Sequence, residues 1–354
     1  MAAGEGLSLF EALPVWHWGL LLGGFCCLAG AALFPRRSLV APAAVLAAFG
    51  ALALLWTQGA VAARLIEAGT AFTRVSLGSS LWIAVLGLCI VFTDMQQRLG
   101  RVLLFRTALA AAWIGALLGL VVSGALDELS LVQEFASRSK RFAAEFQAHL
   151  FITGMSVAGA TLLGVPLGVL LYKYSRLRLG AFSALNILQT IPSLALFGLL
   201  IAPLALLAAR FPFLREFQIG GIGWAPAVIA LTLYSLLPVV RNTFTGFDTL
   251  DAGVLEAGQG MGMGRTAMFL RVELPIAAPV ILNGLRIASV QNIGNTAVAA
   301  LIGAGGFGVF IFQGLGQAAA DLVLLGAVPT ILLAVCADQL LQLVIHLLQA
   351  HVQR

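Results

Sequence analysis

The sequence predicts an all-α integral membrane protein. Hydrophobic residues make up 60% of the 354-residue chain and charged residues only 10%. Mean hydropathy is +1.01. The apolar residues fall in runs near the roughly 20-residue length that spans a bilayer as helix. A soluble domain carries about 25% charged residues. So few charges cannot cover a water-facing surface, and only helices or closed barrels satisfy the backbone in lipid. Abundant glycine, 39 residues, suits helices that pack closely in a membrane.

About nine candidate spans are visible at this length. Four come early, at 17–34, 39–57, 78–93 and 102–123. Five come later, at 150–172, 181–208, 224–241, 279–302 and 322–348. Pro192 and Pro203 put the straightness of the 181–208 run in question. The first 16 residues hold no Lys or Arg, so the basic start of a cleavable leader is missing and the first run reads as a retained helix.

The charge balance is +5. In a soluble protein that would raise nucleic-acid binding, but here the basic residues sit in short loops and report topology. Arg36 and Arg37, Arg98 and Arg101, the group Lys173, Arg176 and Arg178, and Arg241 mark loops that alternate correctly as cytoplasmic. The opposite loops hold Arg64, Arg74, Arg210 and Arg215, so the bias is modest. The reading puts the N-terminus outside and the C-terminus in the cytoplasm. Cys26, Cys27, Cys89 and Cys336 lie in apolar runs without metal or redox spacing and read as small buried hydrophobes. His149 and His346 have no ligand-spaced neighbours.

Three parts follow: an N-terminal membrane region over 1–125, an amphipathic external linker helix over 126–148, and a transmembrane domain over 149–350. The linker carries Leu131, Phe135, Phe142 and Phe146 at helical spacing among mixed charges. The spans after it contain Gly, Pro, Asn and Gln. Such residues are tolerated at membrane depth where they face protein or a water-filled path, which places any transport route in the C-terminal half.

The most informative stretch is the loop over 247–279, reading DTLDAGVLEAGQGMGMGRTAMFLRVELPIAAP from Asp248 to Pro279. A short helix near Leu250 to Gly260 would project Glu256 from the membrane. Small residues at Ala257 and Gly258 let a partner surface approach. Gly262 allows a turn, and Pro275 and Pro279 limit the next helix. Glu256, Ala257 and Gly258 precede Gly262 by a three-residue gap, and nine residues later come Val272, Glu273, Leu274 and Pro275. This is similar to the E-A-A-x3-G-x9-I-x-L-P loop of bacterial ABC importer permeases, with Gly258 and Val272 as the departures.

The stretches IPSLALFGLL, LTLYSLLPVVRNT and NIGNTAVAALIGAGG narrow the resemblance. They look like the osmoprotectant permeases that carry glycine betaine, choline, carnitine and related quaternary amines, in the long-chain subset with extra N-terminal spans. The resemblance covers about residues 150 to 345. It implies a type I importer core of about five helices, in a multi-pass protein of the bacterial inner membrane. It also implies a coupling helix seated on a separate cytoplasmic ATPase, an external binding protein and a second permease subunit, the same or related. The chain has no GxxxxGK[ST] phosphate loop and no catalytic constellation, so ATP and Mg belong to the partner ATPase, and no cofactor is expected on this chain.

On the polar route the candidates are Asn186, Gln189, Ser193, Gln291, Asn292, Asn295 and Thr296. Each can instead serve as an interhelical hydrogen bond. Tyr234 can offer its ring to a quaternary ammonium, or simply pack. Gly303, Gly305, Gly306 and Gly308 read as a turn or re-entrant segment. Asp321 and Asp338 fall at and within the last span, without a visible proton-relay partner. The alternative function is an ion-coupled secondary transporter, which needs paired charges at the midplane. The core spans read as almost free of them.

Overall fold

The computed structural model describes residues 23–26, 28–30, 37–68, 75–98 and 103–352. The chain folds as two compact units, Met1–Ser137 and Arg138–Arg354.

The first unit contains α1 (Arg37–Ala68), α2 (Ser79–Arg98), α3 (Leu103–Val122) and α4 (Ser130–Ser137). Ala43, Ala44 and Ala47 on α1 are buried with Leu81, Leu88 and Met95 of α2. Small residues on one helix let the longer side chains of the other fill the seam. Trp113 of α3 donates its indole N–H to the Ala48 carbonyl at 2.9 Å. Val75 and Leu129 form an isolated parallel bridge that precedes α4.

The second unit contains α5 (Ser139–Lys173), α6 (Ser175–Thr190), α7 (Ser193–Arg210), the one-turn α8 (Phe213–Glu216) and α9 (Trp224–Asp248). After them come α10 (Ala252–Gly260), α11 (Arg265–Met268), a π-turn at Phe269–Glu273 and α12 (Leu274–Ala299). A 3₁₀ turn (Ala300–Ile302), α13 (Gly308–Gln317) and α14 (Ala320–Val352) complete it. The central helix is α9, packed against α5, α7 and α12, while α14 packs on α12 and α13. Its interior is built from small residues such as Ala227, Ala230, Ala277 and Ala288, all fully buried. Large apolar side chains also face outward, Leu206 at 72% exposed and Leu347 at 63%, as a lipid solvent permits, while Leu171, Leu231 and Phe197 are fully buried.

Among the described residues, six helices are long and apolar enough to cross a membrane. They include α1, α5, α7, α9, α12 with its approach, and α14. The expected spans 78–93 and 102–123 coincide with α2 and α3. Most of the expected span 17–34, with Cys27 and Arg36, lies outside the described residues.

Three expectations are corrected. The run 181–208 is two helices, α6 and α7. Ile191 is held extended at φ −71, ψ 126 before Pro192, because a proline disfavours helical backbone in the residue ahead of it. The segment 126–148 is divided at Arg138, and its second part is the first turns of α5. Cys26, Cys89 and Cys336 are free thiols on exposed helix faces rather than in the core. In an apolar solvent a weakly polar thiol needs no burial.

Glycines set the α5–α9 approach. A Cβ on Gly164 would lie 2.8 Å from Val239 Cγ1, and one on Gly168 would lie 2.5 Å from Thr243 Cβ. The spacing is the small-xxx-small pattern of close helix pairs. Prolines inside the spans free carbonyls that side chains then satisfy. Pro238 has no N–H for the Tyr234 carbonyl, and Gln189 Nε2 donates to that oxygen at 2.8 Å.

Candidate functional site

The loop between α9 and α12 is an ordered arm. Asp251 caps α10, its carboxylate accepting from the Gly253 N–H at 2.7 Å. The helix ends at Gly262, whose φ of 78° is left-handed. The Gly262 N–H donates to Gln259 O at 2.9 Å and the Met263 N–H donates to Gly258 O at 3.1 Å. Those two bonds form a Schellman C-cap, which favours glycine at this position. Nothing lies within 4 Å of a Cβ built on Gly262, so backbone conformation alone requires the glycine.

The two small residues of the motif differ in role. Glu256 and Ala257 are exposed and Gly258 is buried. A Cβ on Gly258 would meet Met268 Cε. Gly258 therefore seats α10 against α11, while Glu256 and Ala257 form the free surface. On the return, Val272, Leu274 and Pro275 are half-buried. The turn over Phe269–Glu273 is widened, with Leu274 N–H donating five residues back to Phe269 O. A regular turn would press the Pro275 ring against the carbonyl four residues earlier, and the wide turn removes that clash.

An aromatic stack joins this arm to the membrane helices. Phe247 at the end of α9 stacks on Phe269 with centroids 5.5 Å apart and planes 6° from parallel. On its other partner, Tyr172 of α5, the separation is 5.6 Å. Lys173 Nζ lies 5.3 Å from the Phe269 centroid. Arg178 donates to the carbonyls of Leu171 and Tyr172, both at 2.9 Å, covering the open end of α5. It also lies 3.9 Å from the Asp248 carboxylate. The return of the arm and the ends of α5 and α9 thus pack as one contact network.

The opposite end of the unit carries the glycine loop. Gly303, Gly305 and Gly306 all have positive φ. The Gly306 N–H donates to Glu145 Oε2 at 2.8 Å, and the Phe307 N–H donates to His149 Nδ1 at 3.3 Å. Since Nδ1 accepts, Nε2 carries the proton and donates to Ile293 O at 3.1 Å. His149 is a fully buried tie between α5, α12 and the loop.

The eight polar candidates do not converge on one cavity. Gln189 and Tyr234 meet: Gln189 binds the Tyr234 carbonyl, and the Tyr234 hydroxyl donates to Ile191 O. Tyr234 is buried among Ile152, Leu196 and Phe197, so its ring face is taken by packing. Thr296 Oγ1 lies 3.0 Å from Thr153 Oγ1 and bonds Asn292 O at 2.7 Å. The Asn292 side-chain amide is fully buried with no hydrogen-bond partner on either atom. Gln291 and Asn295 are half-buried one turn apart on another face of α12. Ser193 is half-buried at the start of α7, and Asn186 is exposed on α6.

A groove of about 640 Å³ lies instead between α5, α12 and α14, lined by Thr153, Val157, Leu162, Leu285, Ser289 and Ala337 among others. None of the eight candidates lines it. Next in the chain to two of its lining residues, Leu285 and Ala337, stands a pair that sequence reasoning missed. Arg286 of α12 binds Asp338 of α14 in a two-pronged ion pair, Nε to Oδ1 and Nη2 to Oδ2, the latter at 3.3 Å. The expectation that the core spans are almost free of paired charges is corrected at this point. A lone Arg and a lone Asp in separate apolar runs were the available signal, since neither is tolerated at that depth unpaired. Asn283 continues the network to Asn242 of α9, whose amide donates to Pro238 O at 2.8 Å.

Comparison with known proteins places these features in a family. The family model described as "Binding-protein-dependent transport system inner membrane component" matches residues 160–348. A second, described as "ABC transporter permease YehY, N-terminal domain", matches residues 1–132. The osmoprotectant import permease OsmW of Salmonella typhimurium is 44% identical over 193 residues, covering 54% of this chain and 85% of the relative. The glycine betaine/carnitine/choline permease OpuCD of Bacillus subtilis is 38% identical over 195 residues, covering 55% and 78%. Among solved structures, the MetNI methionine ABC transporter in an inward-facing form aligns with a TM-score of 0.50 at 23% identity, covering 58% of this chain and 95% of that one. That likeness concerns the fold.

Proposed function

Because the chain belongs to the family of binding-protein-dependent transport system inner membrane components, and is thus a multi-pass permease of an ABC importer, we propose that it carries osmoprotectant quaternary amines such as glycine betaine. The observation that carries the importer part of the proposal is α10, capped by Asp251 and Gly262 at its two ends with Glu256 and Ala257 turned to solvent. Names of relatives that match over most of their own length support the substrate class.

In this reading a cytoplasmic ATPase grips Glu256 and Ala257 on the helix that Gly258 and Gly262 hold in place, and the segment Val272, Leu274 and Pro275 returns the motion to α12. ATP and Mg act on that partner. A binding protein delivers solute from outside to a pair of permeases, formed by two copies or by this chain and a related one. The N-terminus lies outside and the C-terminus inside. Asn292, Asn295, Gln291 and Thr296 border the route on α12, while Gln189, Ser193, Tyr234 and Asn186 shape the helices beside it. Residues 1–125 form a separate membrane region, and 149–350 the permease domain.

The test is co-expression with the cognate ATPase, comparing wild type with Glu256→Ala and Gly262→Asp in detergent pull-down and ATP-dependent glycine betaine uptake. Retention by wild type and loss of binding or uptake in the variants supports the reading. Uptake driven by an ion gradient without ATP would instead return the secondary-transporter alternative.

A further inference from the structure

The Arg286–Asp338 pair lies deep in the second unit. Arg286 is twelve residues past Leu274 and thirteen before Ala299, close to the middle of α12, and about 18 Å of helix rise separates it from Leu274. Its side chain and that of Asp338 remain 30% and 28% exposed. A partly exposed ion pair at that depth is not turned to lipid, where charge is costly. It faces a second protein surface or a water-filled route.

A groove lies beside the pair. Its lining residues Leu285 and Ala337 are the chain neighbours of the pair, and Ser289 stands one turn above Arg286. From that point the groove runs away from the coupling arm along Ile293 and up α5 to Leu150. Its lining is apolar apart from the hydroxyls of Thr153, Thr161 and Ser289, and Arg286 and Asp338 stand beside it rather than in it. Its volume of about 640 Å³ falls in the range of small-molecule pockets, about 300–1,000 Å³.

We propose that Arg286 and Asp338 form a solute site on the translocation route, taking a small zwitterion by partner exchange. The solute's carboxylate takes the Arg286 guanidinium and its quaternary ammonium takes the Asp338 carboxylate, so each charge keeps an opposite neighbour throughout. Asn283, 3.4 Å from Arg286 Nη1, holds the guanidinium in place while its carboxylate partner changes. Only electrostatic contacts exchange; no covalent bond forms or breaks. The site rests on the quaternary-amine reading above and names the groups that would act in it.

The experiment uses the full chain reconstituted in proteoliposomes with its ATPase and binding protein. It compares wild type, Arg286→Gln, Asp338→Asn and the apolar pair Arg286→Met with Asp338→Leu. Uptake of glycine betaine, which has a carboxylate, is measured against choline, which has none, each relative to wild type. Arg286→Gln is expected to lower betaine uptake at least ten-fold more than choline uptake, and Asp338→Asn to lower both. The apolar pair, which removes both charges together, is expected to keep ATPase co-purification and thermal midpoint and to lose uptake of both solutes. Equal loss of the two solutes in Arg286→Gln, or wild-type uptake by the apolar pair, reduces the ion pair to a strut and overturns the proposal. Wild type that imports neither solute with ATP refutes the quaternary-amine reading, and this site falls with it.

Discussion

Gly168→Ala is the most direct test of how α5 and α9 are held. The added Cβ would sit 2.5 Å from Thr243 Cβ, 2.8 Å from Thr243 Cγ2 and 2.9 Å from the Val240 carbonyl oxygen. Thr243 Cβ and the carbonyl belong to the α9 backbone or sit next to it, so no rotamer change relieves the overlap. The helices must part by about 1 Å. Forcing a methyl group into a packed interior costs about 1–3 kcal/mol. Taking roughly 2–4 °C per kcal/mol for a unit of this size, the thermal midpoint should fall by roughly 2–12 °C. The control is on the same helix: Gly154 has nothing within 4 Å of a built Cβ. Gly154→Ala should change stability by about 0.5 kcal/mol or less. Both are read by thermal unfolding of the purified complex in one detergent. Gly168 lies one turn before Tyr172, whose ring is stacked on Phe247, so ATP-driven uptake should fall further than the stability loss alone explains. A Gly168→Ala protein melting within a degree of wild type, or a Gly154→Ala protein melting lower than it, would refute the close-approach argument.

Two further outcomes follow from single hydrogen bonds. Gln189→Leu removes the donor that satisfies the carbonyl freed by Pro238, and should cost about 1–3 kcal/mol in the same unfolding assay. Replacing Pro238 by Ala in that background supplies a backbone N–H and should recover most of it. Asp251→Ala removes the cap of α10 and should destabilise the arm by about 0.5–2 kcal/mol. It should weaken ATPase pull-down without moving the global midpoint, and Asp251→Asn should restore binding.

The sequence by itself determined the membrane solvent, since no arrangement of so few charges makes a soluble surface. It determined the projecting arm as well, because a left-handed glycine and prolines act within a few residues of themselves. Gly262 and Pro275 could be read that way because their effects are local, while the Asp251 cap was seen only in the structure. Tertiary structure alone decided which polar residues are structural. Gln189 stands 45 residues from the carbonyl it satisfies, and His149 is 144 and 158 residues from its two backbone partners. The same holds for Arg286 and Asp338, 52 residues apart on different helices. A single apolar span displays a charge without displaying its counter-ion, because the pairing arises only when helices pack side by side. Local rules therefore reached the projecting arm. The ion pair between α12 and α14 required the packed bundle, where taking one charge out of water demands the other.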